Sequence, residues 1–425
     1  MRHNPLSTLF VGIDVSLKNN VLCALNFHSE TLLKLSVSNN QPGSEELVAK
    51  LLVILNNHPF ETVIIASEST SVYSFHLANF LSSHELLAYY KTYVYCLNPK
   101  MIKNYKKSFI ETKKTDPYDA FIIADFARVG RINTNPWNGP GYLALKRLTR
   151  HRLHLVECIT REKQYFLTNL FLKFSELASF ADIDKPFSDK FGATSVSIMT
   201  EFLSLEDIAN TPLEELVAFI DSKSRHAITD PEKTAKIIQQ AVRNSYRLDK
   251  SLYEPLTTSL STSINCINAF KRELSVIDKA VIKAVKALNN NEYQCIISIP
   301  GIGPVLAGGI IAEIGSISNF KNDNALASFA GLTWNRSSSG DFTADRSYMT
   351  KTGDKYLRYY LIEAANILRR TLPEYEKFYL KKCNEVSTHK HKRALALTSR
   401  KLIRLIFGLL AKDQLYSFDK VDTLS

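Results

Sequence analysis

In the first hundred residues, short apolar runs alternate with helically spaced segments, and this order restricts the fold more than any other feature of the chain. Leu9–Asp14 is an apolar run that ends in an acid. Asn20–Asn26 and Thr31–Val37 follow, each short and rich in Val, Leu or Thr. Gly43–Asn57 changes to helical spacing, with Leu47, Leu51, Ile54 and Leu55 on one side. Thr62–Ala66 is a buried-type strand running into Ser67 and Glu68; Val72–Leu81 reads as a helix and Thr92–Leu97 as a fifth strand. The expected order is β-β-β-α-β-α-β-α, with the last helix starting near Asp116. Three consecutive strands suit an antiparallel meander, and strands reached through helices suit parallel additions to the same sheet.

Helix dominates after Pro136–Gly141, the clearest linker. Leu148, Leu155, Ile159 and Phe166 mark one long amphipathic helix over 143–178; Leu252, Leu256, Ile264, Ile267, Phe270, Leu274 and Ile277 mark another over 247–289. Their spacing predicts an antiparallel, coiled-coil-like arm. Between them, 179–245 carries Pro186, Gly192, Pro212 and Pro231 and reads as a set of short helices. From 294 the chain runs through Pro300–Pro304 and Ala307–Ile314, a polar stretch at Thr333–Thr352, and a helix from Lys355 to about Arg370. The tail, 373–425, reads as helical and basic. The expected fold is therefore α/β plus all-α. It divides into a mixed-sheet domain at 1–140, a helical arm at 141–293, a mainly helical domain at 294–372, and the tail.

Composition narrows the partners. The chain of 425 residues is 45% hydrophobic and 22% charged, which excludes wholesale disorder. Lys and Arg exceed Asp and Glu by 53 to 42, giving a net charge of +11 that favours a polyanion, nucleic acid before membrane. No apolar run approaches ~18 residues and the N-terminus has no signal-peptide core, so a cytoplasmic protein is expected. Cysteines 23, 96, 158, 266, 295 and 383 show no paired spacing and read as reduced thiols. His151 with His154, and His389 with His391, lack cysteine or carboxylate partners in sequence and read as surface residues on basic helices. Seven lysines and one acid lie between Lys91 and Thr115; fifteen basic residues against five acids lie between Arg346 and Arg404. Both runs read as phosphate tracks, with Lys103, Lys106, Lys107, Lys113 and Lys114 in the first and Lys351, Lys355 and Arg358 in the second.

Four acids stand out. Asp14 ends the first strand and Glu68 the fourth, while Asp116 and Asp119 open the helix after the fifth. Ligands of open sheets gather at the carboxyl ends of strands, and a spacing of three puts the last two acids on one helix face. Four converging carboxylates repel unless cations neutralise them, and all-oxygen sets favour Mg²⁺ or Mn²⁺ over zinc. Two such ions form the apparatus for displacement at a phosphodiester. A plainer reading also exists: Asp116-Pro117 is a good helix start by itself, with Asp as the cap.

Gly12–Val15, Thr115–Ala120 and this order of acids resemble the DEDD tetrad of an RNase H-like domain of the RuvC type. The C-terminal part resembles the DEDD transposases of the IS110 and IS1111 insertion-sequence families. The likeness rests on Ala330-Gly331-Leu332, the Ser-Gly at Ser339-Gly340, Lys351-Thr352-Gly353 and Leu357-Arg358. That resemblance implies an enzyme that cuts and rejoins DNA, with about two divalent ions at Asp14, Glu68, Asp116 and Asp119. It implies Ser339 as a nucleophile forming a transient phosphoserine bond to DNA, with Ser338 as the alternative. A structured noncoding RNA from the same element, donor and target DNA, and homodimers that pair into tetramers on DNA are its implied partners. Pro300–Gly303 resembles the hairpin of a helix-hairpin-helix, whose Gly301 and Gly303 let backbone amides approach a phosphate. Two other classes compete: a metal-only nuclease of the junction-resolvase type, and a nucleic-acid-binding remnant without activity.

Overall fold

The computed structural model describes all residues except 1–3, 70–71, 110–114, 133, 135, 138, 140, 180–185, 289–290, 336–337, 340–341, 344–347 and 418–425. At 179, 335, 338, 339, 342, 343 and 348 it describes the backbone alone. The chain divides into two compact units, one of residues 1–143 with 316–321, the other of 144–315 with 322–425.

The first unit is built on five strands, β1 (Thr8–Val15), β2 (Asn19–Leu25), β3 (Thr31–Ser38), β4 (Thr62–Glu68) and β5 (Lys91–Leu97). Their spatial order is β3-β2-β1-β4-β5. β1 pairs antiparallel with β2, and β2 with β3; β4 pairs parallel with β1, and β5 with β4. This is the expected meander with parallel additions. α1 (Gln41–Asn57) and α2 (Tyr73–Ser83) pack on one face, where Leu47, Leu51, Leu77 and Leu81 meet Leu9, Val11, Ile13, Val63 and Ile65. On the other face α3 (Pro99–Lys106) and α4 (Asp116–Arg128) cover Phe10, Cys23, Leu25, Ile64 and Ala66. Alternation along β1 and β4 assigns odd positions to the first face and even positions to the second.

α3 departs from the sequence expectation, which had a single helix after the fifth strand. It buries Ile102, packs the half-buried Met101 and Tyr105 beside it, and exposes Lys100, Lys103 and Asn104, so its amphipathic signal is short. Its start is defined by Asn98, whose side chain accepts from the Lys100 amide, and by Pro99 in the first turn.

Gly12 sets the distance between sheet and α4. A Cβ there would lie 2.2 Å from the Ala120 carbonyl oxygen and 2.2 Å from the Ala124 nitrogen, both backbone. Ala120, Ala124 and Ala127 complete a small-residue face on α4, so helix and strand approach closely.

The second unit is helical among its described residues, apart from four two-residue strands. Its long helices are α5 (Gly141–Lys173) and α11 (Lys250–Ala287). They run antiparallel: Arg152 Nε donates to Asp278 Oδ1 at 2.7 Å, Ser263 Oγ to Glu162 Oε1 at 2.7 Å, Asn169 Nδ2 to Ser259 Oγ at 3.0 Å, and Lys173 Nζ to Thr257 Oγ1 at 2.6 Å. Between them lie α6 (Ser175–Ser179), α7 (Ala193–Glu201), α8 (Leu205–Asn210), α9 (Leu213–Ser224) and α10 (Pro231–Asn244). Ile198, Leu205, Leu216 and Ile238 from these short helices close a core against Phe166 and Leu170. Lys173 is fully buried inside it and also donates to the carbonyls of Met199 and Phe202, at the end of α7. Burial pulls its ammonium pKa down to about 8.

The remainder comprises α12 (Asn291–Ile297), α13 (Pro304–Ile314), α14 (Asp323–Ala330), α15 (Lys355–Thr371), α16 (Pro373–Asn384) and α17 (Lys390–Lys412). Between α14 and α15, the stretch expected as a polar loop contains two small pairings. β6 (Trp334–Asn335) joins β9 (Tyr348–Met349), and β7 (Ser338–Ser339) joins β8 (Phe342–Thr343). Gly331, at φ 68°, ends α14, and a Cβ on it would sit 2.8 Å from the Gly353 nitrogen. A Cβ on Gly353 would in turn sit 2.2 Å from the Phe329 oxygen. The two motif glycines therefore bring backbone against backbone. All six cysteines are free, and no helix among the described residues is long and apolar enough to cross a membrane.

Replacing Gly12 with Ala should force α4 off β1 and cost about 1–3 kcal/mol. Thermal unfolding of the full chain should show the loss. Gly408→Ala in α17, where a Cβ meets nothing within 4 Å, should instead be neutral or slightly stabilising.

Candidate active site

The register of β1 against β4 runs to Ile13 beside Ser67, and one step further puts Asp14 beside Glu68 at the carboxyl ends of two parallel neighbours. Both occupy even positions, so both side chains belong to the face that α4 covers. α4 begins there. Its cap is Thr115, and Asp116 is the first helical residue, with Pro117 and Asp119 completing the turn. The expectation of Asp116 as the cap is thus corrected by one position. Both acids favour the positive end of the helix dipole. The close approach at Gly12 carries them to Asp14.

The four acids act on one another electrostatically. Burial raises the Asp14 pKa, and the charges of Asp116 and Asp119 raise it further. Burial pushes Glu68 from its usual 4.5 to about 7, helped by Asp14 and Asp119. Among the described residues Lys106, the last residue of α3, opposes them: it pairs with Asp119 and lowers the pKa of both Asp14 and Glu68. Its ammonium also lies 5.5 Å from the centre of the Tyr118 ring. The donor set is carboxylate oxygen throughout, which suits a hard divalent cation. Among the described residues, no group of three or more His, Cys, Asp or Glu is drawn together at coordinating distance. The acids form an electrostatic cluster without being closed into a coordination sphere.

The expected phosphate contacts divide into two kinds. Lys103 and Lys107 are exposed on α3 and just after it, and Lys351 and Lys355 are exposed before and at the start of α15. Gly301 and Gly303 are exposed in the turn between α12 and α13, with Gly301 at φ 92°. Lys106 and Arg358, in contrast, have internal partners. Lys106 is held by Asp119, and Arg358 Nη1 donates to the Ala330 carbonyl at 3.0 Å and the Lys351 carbonyl at 3.4 Å, tying together the segments that Gly331 and Gly353 bring close. The basic run at 346–404 is also less bare than its count suggests. Arg393 pairs with Glu385, Arg400 and Arg404 with Asp323, and Lys401 with Glu374. Lys113 and Lys114 lie outside the described residues. Ser338 and Ser339 form β7, in the second unit, while the acids belong to the first.

Two features escaped the sequence reading. His154 does have a cysteine neighbour, since Cys158 Sγ lies 3.6 Å from its Nε2 one helical turn away. Glu313 on α13 is fully buried and takes a two-pronged bond from Arg150 on α5, both contacts at 2.8 Å. Arg150 also approaches Asp354 Oδ2 at 3.5 Å, and Asp354 caps α15 by accepting from the amides of Tyr356 and Leu357. A lone acid in the apolar run Ala307–Ile314 was the available signal, because a buried carboxylate requires a cationic partner.

Comparison with known sequences defines the class, an enzyme of DNA rearrangement. Residues 11–174 match the profile of DEDD transposases of the IS110 type, described as transposase, and residues 293–380 match the profile described as Transposase IS116/IS110/IS902 family. A 44.8 kDa protein of insertion element IS116 from Streptomyces clavuligerus, itself described as uncharacterized, is 24% identical over 311 residues, covering 72% of this chain and 73% of that protein. The transposase of insertion sequence element IS1111A from Coxiella burnetii is 29% identical over 170 residues, covering 39% of this chain and 43% of that protein. The chain belongs to the IS110 family of DEDD transposases.

The raised Glu68 pKa has a consequence for stability. Protonated Glu68 favours the folded state; its contribution is complete below pH 4.5 and is lost as pH rises through about 7. In chelator, Glu68→Gln should therefore stabilise the protein at pH 8 by on the order of 1–2 kcal/mol, allowing for solvent screening. The gain should shrink towards zero near pH 4.5. Melting curves at the two pH values test this, and no gain at pH 8 would refute the repulsion.

Proposed function

We propose that this transposase cuts and rejoins DNA through an RNase H-like carboxylate site acting with a serine nucleophile. The observation that carries the reading is the electrostatic coupling of Asp14 and Glu68, at the carboxyl ends of β1 and β4, with Asp116 and Asp119 at the start of α4. The strand order β3-β2-β1-β4-β5, antiparallel then parallel, supports the RNase H-like assignment. Asp14, Glu68, Asp116 and Asp119 would hold Mg²⁺ or Mn²⁺. When bound, the metal supplies positive charge beside the scissile phosphate. Transposase membership implies DNA as substrate, and the resemblance supports an element-encoded guide RNA, a homodimer and a tetramer on DNA as further parts of the proposal.

In this reading the Ser339 hydroxyl attacks phosphorus and displaces one ester oxygen, leaving a phosphoserine bond. A strand hydroxyl then attacks that phosphoserine and releases the serine. One phosphoester forms for each that breaks, so the exchange needs no energy source. A serine hydroxyl needs activation, and the carboxylate site is its proposed source. The two units would close on one phosphate, within a chain or across subunits. Exposed Lys103, Lys107, Lys351 and Lys355 would carry the DNA or RNA backbone, and the turn at Gly301 and Gly303 would add amide contacts.

The test is strand exchange by the ribonucleoprotein isolated with its RNA, with capture of denaturation-resistant protein–DNA adducts. Ser339→Ala should abolish adduct and exchange, with Ser338→Ala as the control for the neighbouring hydroxyl. Asp14→Asn should lower exchange by at least about 100-fold and leave DNA binding within about twofold. Cleavage by Ser339→Ala without any adduct would replace this account with the metal-only nuclease. Full exchange by Asp14→Asn would remove the carboxylates from the chemistry.

A further inference from the structure

Lys106 ends α3, and among the described residues its ammonium is the cation whose charge is felt by Asp14 and Glu68 alike. It reaches Asp119, the acid that also acts on both of them. The lysine side chain is half-buried against the ring of Tyr118, so it is directed into the cluster rather than into solvent. Asp119 is thus engaged by a primary ammonium at the point where the acids converge. An ammonium satisfies a carboxylate by hydrogen bonding and carries a single charge; a divalent cation takes the same oxygens directly with twice that charge. The two cannot share one oxygen of Asp119 without strong mutual repulsion.

We infer that Lys106 is a built-in, displaceable counter-ion of the carboxylate cluster, seated on Asp119 in the metal-free protein and expelled when a divalent cation binds. The inference rests on the reading of the four acids as a metal site. It adds a competitor that weakens metal affinity and stabilises the empty site against its own repulsion. It also moves Lys106 from the class of surface phosphate contacts to that of groups that control the loading of the site.

Titration calorimetry with Mn²⁺, on the full chain without DNA, tests the inference together with melting temperatures in chelator and in saturating Mn²⁺. Lys106→Met should bind Mn²⁺ roughly threefold to tenfold more tightly than the parent, the range expected for loss of a partly exposed bridge. Lys107→Met removes a nearby exposed charge without touching Asp119, and should change the affinity by less than about twofold. In chelator Lys106→Met should melt below the parent; in saturating Mn²⁺ the two should coincide, because the bridge is then absent from both. Equal affinity, or a melting difference that persists in Mn²⁺, overturns the counter-ion role while leaving the metal site intact. Equal tightening by Lys107→Met assigns the effect to general charge and overturns it too. Absence of Mn²⁺ binding in parent and variant alike removes the metal reading itself, and the inference with it.

Discussion

Mutual repulsion among Asp14, Glu68, Asp116 and Asp119 is the constraint around which the sheet unit is organised. Carboxylates at this density destabilise a fold unless something offsets them. Among the described residues the offset comes from Lys106, the positive end of α4, and a rise in the pKa of Glu68 to about 7. The fold accepts the remaining cost because each acid is fixed by a feature that also builds the core. Asp14 and Glu68 are where they are because β1 and β4 run parallel in register. Asp116 and Asp119 are where they are because Gly12 lets α4 lie close against β1. The geometry that packs the apolar side of the helix is the geometry that gathers the charges.

The helical unit treats charge in the opposite way. Two of its buried ionic groups are closely satisfied: Glu313 by both prongs of Arg150, and Lys173 by two carbonyls and a hydroxyl. Removing one partner from such a set leaves an uncompensated buried charge, which costs far more than an exposed pair. These contacts join segments far apart in the chain and fix the helices in register. Gly331, Gly353 and Arg358 do the same for the segments flanking the serine stretch.

The sheet was legible in the sequence because apolar runs with β-branched residues and helical spacing are local signals. Asp14 and Glu68 were legible for the same reason, as acids closing such runs. α3 was not, since it buries only Ile102 and its lysines resemble a charged loop. The partners of Lys106, Arg358 and Arg400 were also hidden. A charge run shows how many cations a segment carries, and tertiary packing alone decides which of them meet a carboxylate or carbonyl elsewhere. Arg400 finds Asp323 across 77 residues of chain, and no spacing rule reaches that far. Cys158 beside His154 is a spacing of four on one helix, a local signal that a search for histidine pairs passes over.

The central claim is that four acids separated in sequence form one divalent-cation site. Crystals of the protein soaked in Mn²⁺, with diffraction recorded at the manganese absorption edge, address it directly. The account expects an anomalous-scattering peak bounded by Asp14, Glu68 and Asp119, with Asp116 beside it, and its disappearance in the Asp14→Asn protein. A manganese peak elsewhere with none at this cluster, or one that persists unchanged in Asp14→Asn, would contradict it.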